Sequence, residues 1–332
     1  MMNRRRINAL FASPILAGLG SLASLAQAQS WPDKPVKWVL SQPPGSGPDN
    51  VARLLADRLS KQWGQAVVID NKPGGQNTIG AQAAARAAPD GQTFYFATTA
   101  ALITNPLLFK TLPYEPAKDF VPVAFIARSP FAILVRADSP LQTIEELVAK
   151  SKAAPGSFTL GNEGPRTFSG MIARLFNART QAQANLVPYA NVGVGVQDLL
   201  GGHVQAMVAD LASTTALARQ GKLRVLATTA AQRVAGWETV PALSEKSSEK
   251  LAGFDMVGWF AVVAPSGTPV TAIERSNRDI NALLNDRDVA ERIGAIGPLV
   301  DGSMGPEAVG AFLRAEVQRW HAVVKEIGVL PE

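Results

Sequence analysis

Apolar and polar positions follow two rhythms along this chain, and the switches between them predict its elements. Residues 36–40, 66–70, 93–98, 121–127, 132–135, 158–160, 186–188, 204–208 and 222–228 are short apolar or alternating runs that read as strands. Between them the apolar positions recur at three- and four-residue steps. Residues 50–63 place Val51, Leu54, Leu55, Leu59 and Trp63 on one helical stripe, with Gly64 positioned to stop it. An alanine-rich helix runs to residue 88, and further helices are expected at 167–177, 192–200 and 213–220. Thr143 with Glu146 three residues on forms a capping box for one more. Strands alternating with helices of about ten residues imply parallel sheets covered on both faces.

The later pattern closes the molecule. Pro130 separates the runs at 121–127 and 132–135, and the long apolar run at 256–263 reads as a crossing segment paired with them. After it the chain turns helical: Thr268 caps a helix to residue 284, and residues 286–294 form a short one. Residues 305–327 then place Val309, Phe312, Leu313, Val317, Trp320 and Val324 on one face, packing back onto the first lobe. The expected architecture is α/β, two lobes of mixed and parallel sheet joined by two crossover segments around a cleft. The expected boundaries are residues 29–129 plus 256–332 for one lobe and 130–255 for the other.

The N-terminus carries a different signal. Arg4, Arg5 and Arg6 precede an apolar stretch to Leu25, and Ala26-Gln27-Ala28 is a small-x-small cleavage site. This is the plan of a secretory signal peptide cut after Ala28, which would send the chain to the periplasm. The formal net charge of +5 falls to +2 when those three arginines leave. No basic run with interleaved aromatics remains, which argues against nucleic acid, and no later stretch is apolar enough to span a membrane.

Several chemistries are excluded by composition. The chain has no cysteine, so disulfides, thiolate metal sites and cysteine nucleophiles are out. Its two histidines, His203 and His321, lack metal-ligand spacing and a serine and acid at triad spacing. No cofactor, metal or catalytic residue is therefore expected, and the reading is that of a protein that is not an enzyme.

Ligands of open parallel sheets bind at the carboxyl ends of strands, beside helix N-termini. Three loops have that place: Pro44-Gly45-Ser46-Gly47-Pro48-Asp49, Gly74-Gly75-Gln76-Asn77-Thr78 and Asn162-Glu163-Gly164-Pro165-Arg166-Thr167. Glycines let the backbone approach a guest, and first-turn N–H groups favour an anion, most simply a carboxylate. No Gly-Lys-Ser/Thr follows, so the first loop is not a phosphate loop. A helix N-terminus contributes about 0.3–2 kcal/mol and a hydrogen bond to a charged group about 1.5–3. Micromolar binding needs about 8, so several loops must converge on the guest. Asp49 is a helix cap before it is an acid. Arg166 is balanced between solvent and an anion. Asp210 either accepts from a ligand amine or hydroxyl or caps a helix.

Across the whole mature chain, successive strings resemble one family, the periplasmic receptors of tripartite tricarboxylate transporters, also called Bug proteins. They are WPDKPVKWVL, PPGSGPDNVAR, VVIDNKPGGQNTIGA, APDGQTF, NPLLFKTLPYEPAKDFVPV, VPYANVGVGVQDLLGGHV, GKLRVLATT and the Trp259 to Pro265 segment. The resemblance implies a type II periplasmic binding fold, a monomer, capture of a small organic carboxylate without chemistry, and delivery to integral membrane transporter subunits. It implies ligand contacts from Pro44, Gly45, Ser46, Gly47 and Asp49, from Gln76, Asn77 and Thr78, and from Thr98, Thr99 and Ala100. Across the cleft it implies Gly164, Arg166, Thr167 and Tyr189, with Asp210 beside Ala209, where the family often has an aspartate.

This chain also departs from the family. Ser46 and Pro48 replace a glycine and a threonine, bulkier Gln76, Asn77 and Thr78 replace small residues, Arg166 replaces a glycine, and Gly170 stands where a histidine is usual. Two other readings compete: a ligand receptor that feeds a sensor, and a hydrolase or isomerase using Asp49 or Asp210 with Arg166.

Overall fold

In the computed structural model, which describes residues 31–246 and 250–331, the strands join into one mixed sheet. The segment read as a signal peptide lies outside the described residues. The chain opens with β1 (Val36–Leu40), α1 (Gly47–Trp63), β2 (Val67–Asn71), α2 (Thr78–Ala85) and β3 (Thr93–Thr98). The three strands are parallel in the order β2-β1-β3. Short turns α3 (Asn105–Leu108) and α4 (Pro116–Asp119) lead into β4 (Phe120–Arg136). A second set follows: α5 (Ile144–Ala153), β5 (Thr159–Asn162), α6 (Phe168–Thr180), β6 (Asn185–Pro188), α7 (Val192–Gly201), β7 (Ala206–Asp210), α8 (Leu211–Arg219) and β8 (Leu223–Thr228). The chain returns through β9 (Val257–Pro265) and ends in α9 (Val270–Leu284), α10 (Arg287–Ile296) and α11 (Pro306–Ile327).

The crossing segments organise this sheet. β9 lies between β3 and β4 and is antiparallel to both. β4 pairs with β9 from Phe120 to Pro130, then with β7 and β8 from Phe131 onward. The two apolar runs expected on either side of Pro130 are thus one 17-residue strand. Proline has no N–H to give a ladder, but Pro130 stands opposite Val257, the last β9 residue before β4 changes partners. Its missing donor falls where no long ladder needs it.

Three other boundaries differ for local reasons. α1 begins at Gly47, not at residue 50, because Ser46 is the extended N-cap and Pro48 sits in the first turn, where a proline costs nothing. α8 begins at Leu211, with Asp210 as its cap. Thr268 does not cap α9: its hydroxyl donates to the Pro265 carbonyl at 2.7 Å, and Pro269 precedes the helix.

Packing follows the apolar stripes. Val51, Leu55 and Leu59 of α1 are fully buried in a core with Trp38, Phe94 and Phe96. The expected face of α11 is also turned inward, with Val309 and Trp320 buried in a second core that includes Phe125 and Trp259, and Phe312, Leu313, Val317 and Val324 packed against it. Phe312 meets the Trp259 ring edge-on at 5.5 Å. Glu316, nearly buried on that helix, accepts from Trp259 Nε1 at 2.8 Å and from Trp320 Nε1 at 3.4 Å. Among the described residues no helix is long and apolar enough to cross a membrane.

Candidate functional site

A cavity of about 590 Å³ opens at the carboxyl ends of the parallel strands, within the range of small-molecule sites. Its first wall comes from the loops after β1, β2 and β3. Ser41, Gln42 and Ser46 contribute from the first, Gly74 to Asn77 from the second, and Thr98, Thr99 and Ala100 from the third. The facing wall carries Glu163, Thr167, Asn191, Asp210 and Ser213. Ser129, Phe131, Phe168, Trp259 and Phe260 line it between the two.

The second loop is the most shaped. Gly74, Gly75, Gln76 and Asn77 all have positive φ, which for the two non-glycine residues is a conformation the surroundings must enforce. Buried Asn105 does so by donating to the Gln76 carbonyl at 2.8 Å. Ser41 donates to the Asn77 carbonyl at 2.9 Å while paired with Tyr95 at 2.6 Å, and Gln42 Nε2 donates to Asn77 Oδ1 at 2.9 Å. The loop's own turn takes the Asn77 amide to Gly74 O and the Thr78 amide to Gly75 O.

The first loop is held from below. Asp49 is buried and accepts from the Gly45 amide, Arg53 Nε and Asn71 Nδ2, each at 2.8 Å. Burial alone would raise its carboxyl; the bonds from Arg53, Gly45 and Asn71 outweigh that and hold it below the usual range. Asp49 is therefore neither an N-cap nor a cavity wall but an anchor for the turn. The Gly47 amide, at the start of α1, donates to Ser213 Oγ at 3.3 Å across the cleft. A Cβ on Gly47 would sit 2.6 Å from that of Ala212, so the two helix starts meet there without room for a side chain.

The facing wall differs from the expectation of amides on both sides. At each of its helix N-termini a side chain already takes one amide. Thr167 Oγ1 accepts from the Gly170 amide at 3.2 Å, Asn191 Oδ1 from Val194 at 3.1 Å and Asp210 Oδ1 from Ser213 at 2.8 Å. The Val192 amide at the start of α7 donates to the Glu163 carboxyl. The wall shows the guest mostly acceptors. Burial, and then the neighbouring Asp210, push Glu163 up to about 7, while burial raises Asp210 as well.

Of the residues singled out from sequence, Ser46, Gln76, Asn77, Thr98, Thr99, Ala100, Thr167 and Asp210 line the cavity. Pro44, Gly45, Gly47, Asp49, Thr78, Gly164, Arg166 and Tyr189 are outside that lining. Arg166 lies over the Phe109 ring at 4.8 Å. Tyr189 bonds Asp198, and burial together with that carboxylate pushes its hydroxyl up to about 12. Asp49 and Arg166 thus do not join Asp210 around one reacting atom. Sequence reasoning missed Glu163, although it lay inside a loop already marked. It also missed Ser129 and Trp259, which only the pairing of β4 with β9 brings to the cavity.

The high Glu163 value has a stability consequence. Between its ordinary value of 4.5 and about 7 the folded chain binds more protons than the unfolded one, so this group weakens folding as pH rises through that window. Glu163→Gln is expected to raise the thermal midpoint at pH 8 and to give no gain at pH 4. Melting curves at both pH values check this; equal shifts at the two would refute the assignment.

The model of the tripartite tricarboxylate transporter family receptor matches residues 51–329. The chain is similar to the solved structure of R. palustris Rpa4515 with adipate, at 31% identity and TM-score 0.86, covering 91% of this chain and 100% of that one. It is similar to the periplasmic binding protein BugD at 31% identity and TM-score 0.84, with the same coverage. It is also similar to MatC (Rpa3494) from Rhodopseudomonas palustris with bound malate, at 28% identity and TM-score 0.80, covering 89% and 100%.

Proposed function

Because the chain belongs to the tripartite tricarboxylate transporter receptor family, solute-binding receptors of the periplasmic type and not enzymes, we propose that its cavity captures a small organic carboxylate for delivery to the transporter's membrane subunits. Adipate and malate in the two related structures support the carboxylate. The observation that carries the reading here is the second loop, whose positive-φ run lines the cavity. The amides we assign to the carboxylate are those of Gly75 and Gln76, which the loop's own turn bonds do not use. Two such bonds give about 3–6 kcal/mol, short of the roughly 8 that micromolar binding needs. Burying about 100 Å² of ligand carbon on Phe131, Phe168, Trp259 and Phe260 adds about 2.5, and the sum of about 5.5–8.5 reaches that value at its upper end.

The lobe partition at residues 129–130 and 255–256, with hinge closure between lobes, belongs to this proposal. It is supported by β4 changing partners just after Pro130. Export through residues 1–28 belongs to it too, supported by the arginine and apolar pattern alone.

A thermal-shift screen of organic acids on the chain from Gln29, with mass spectrometry of co-purified molecules, tests the reading. Carboxylates at a hundred times their Kd should stabilise by about 2.7 kcal/mol. If no carboxylate shifts the midpoint and none co-purifies, the reading fails. Asn105→Ala, which frees the Gln76 carbonyl, is expected to weaken carboxylate binding about tenfold in calorimetric titration; an unchanged Kd would remove Asn105 from the site's support.

A further inference from the structure

We infer that the guest of this cavity pairs its carboxylate with a protonated amine, so that the receptor favours amino acids over plain dicarboxylic acids. The inference rests on the carboxylate reading above and deepens it by naming the other end of the ligand. The two walls are unlike in sign. On one side stand the Gly75 and Gln76 amides and the Thr98 and Thr99 hydroxyls; on the other stand the Glu163 and Asp210 carboxyls. No lysine, arginine or histidine is among the described residues lining the cavity. A dicarboxylate reaching across would place a third acid beside those two, with no cation to offset it.

The acceptors have capacity left. A carboxylate has about four acceptor positions. Glu163 takes the Val192 amide and, at 3.4 Å, the Ser169 hydroxyl, and Asp210 takes the Ser213 amide, the Ser213 hydroxyl and its own backbone amide, which leaves about two acceptor positions on Glu163 and about one on Asp210. A separate observation points the same way. Ser129 Oγ lies on the same cavity, its residue is 2% exposed, and it has no hydrogen-bond partner among the described residues. A buried hydroxyl of that kind is open to a guest or an ordered water. An ammonium group supplies three donors and the charge that two carboxyls lack, whereas a neutral hydroxyl supplies one donor and no charge. An ammonium beside them also favours the ionised form of both acids.

Calorimetric titration of the mature receptor with matched pairs tests this: glutamate against glutarate, aspartate against succinate, and 5-aminopentanoate against adipate. The expected result is that the amino member of at least one pair binds ten times more tightly or better. In Glu163→Gln and in Asp210→Asn, which keeps an α8 N-cap, that ratio should fall toward one, the amino member losing the affinity. Diacids binding as tightly as their amino partners in the natural protein, or a ratio unchanged in both variants, would overturn the inference and leave the carboxylate reading standing. Binding of neither class would overturn both.

Discussion

Replacing Gly170 by alanine is expected to lower the melting temperature and to weaken ligand binding at least tenfold. A Cβ at this position of α6 would sit 1.9 Å from the Gly164 carbonyl oxygen and 3.2 Å from Asn162 Oδ1. The obstacle is backbone, not a side chain that can swing away. It is also tied down: the Gly164 amide donates to Asn162 Oδ1 at 2.8 Å, and Thr167 donates to the Gly164 carbonyl through its amide at 3.1 Å and its hydroxyl at 2.9 Å. Two effects of opposite sign compete. Alanine is better than glycine inside a helix by about 1 kcal/mol, while overpacking of this severity costs about 3 kcal/mol or more. The clash wins, and the turn bearing Glu163 and Thr167 must move off the cavity. Gly294→Ala in α10, with nothing within 4 Å of its new Cβ, is the control and should be neutral or stabilising. Melting curves and titrations on both variants check this. A Gly170→Ala protein as stable as the control would show that the turn is not seated on α6 as described.

Glu316→Ala is expected to destabilise the fold by about 3 kcal/mol, read as a fall in the urea midpoint. The carboxylate is 7% exposed and serves three neighbours: Trp259 Nε1, Trp320 Nε1 and, at 2.7 and 3.1 Å, the Arg319 guanidinium. Its loss strands two indole N–H groups in the core at about 1–3 kcal/mol each. The Arg319 pair adds little, because that side chain is 34% exposed. Trp259 lines the cavity, so the variant should also bind ligand less tightly at temperatures where it remains folded. Glu316→Gln, which keeps an acceptor, should lose markedly less. A loss below about 1 kcal/mol for the alanine variant would mean that α11 does not hold the cavity floor through this residue.

Much of the architecture was legible because it is written in local periodicity. The alternation of strands and helices, the inward face of α11 and the partnership of residues 256–263 with the first part of 121–135, up to Pro130, follow from apolar spacing. Proline obscured two features. Pro130 reads as a break because a ladder usually cannot use it, yet it falls where β4 exchanges one partner for two. Pro48 reads as loop because helices exclude proline, except in the first turn where this one sits. At the site, glycine-rich strings found the right loops but not which of their atoms are free. Asp49 looked available and proved to be the anchor beneath the first turn. The N-terminus of α6 looked ready for an anion, and its Gly170 amide is taken by Thr167. Such pairings depend on which side chain folds back, and no spacing rule encodes that.

The most direct measurement is a crystal structure of the receptor from Gln29 onward, grown with the organic acid that stabilises it best. The account predicts a carboxylate oxygen about 3 Å from the Gly75 and Gln76 amide nitrogens, with the carbon skeleton against Trp259 and Phe168. A carboxylate seated instead against Glu163 and Asp210, or anywhere outside this cavity, would contradict it.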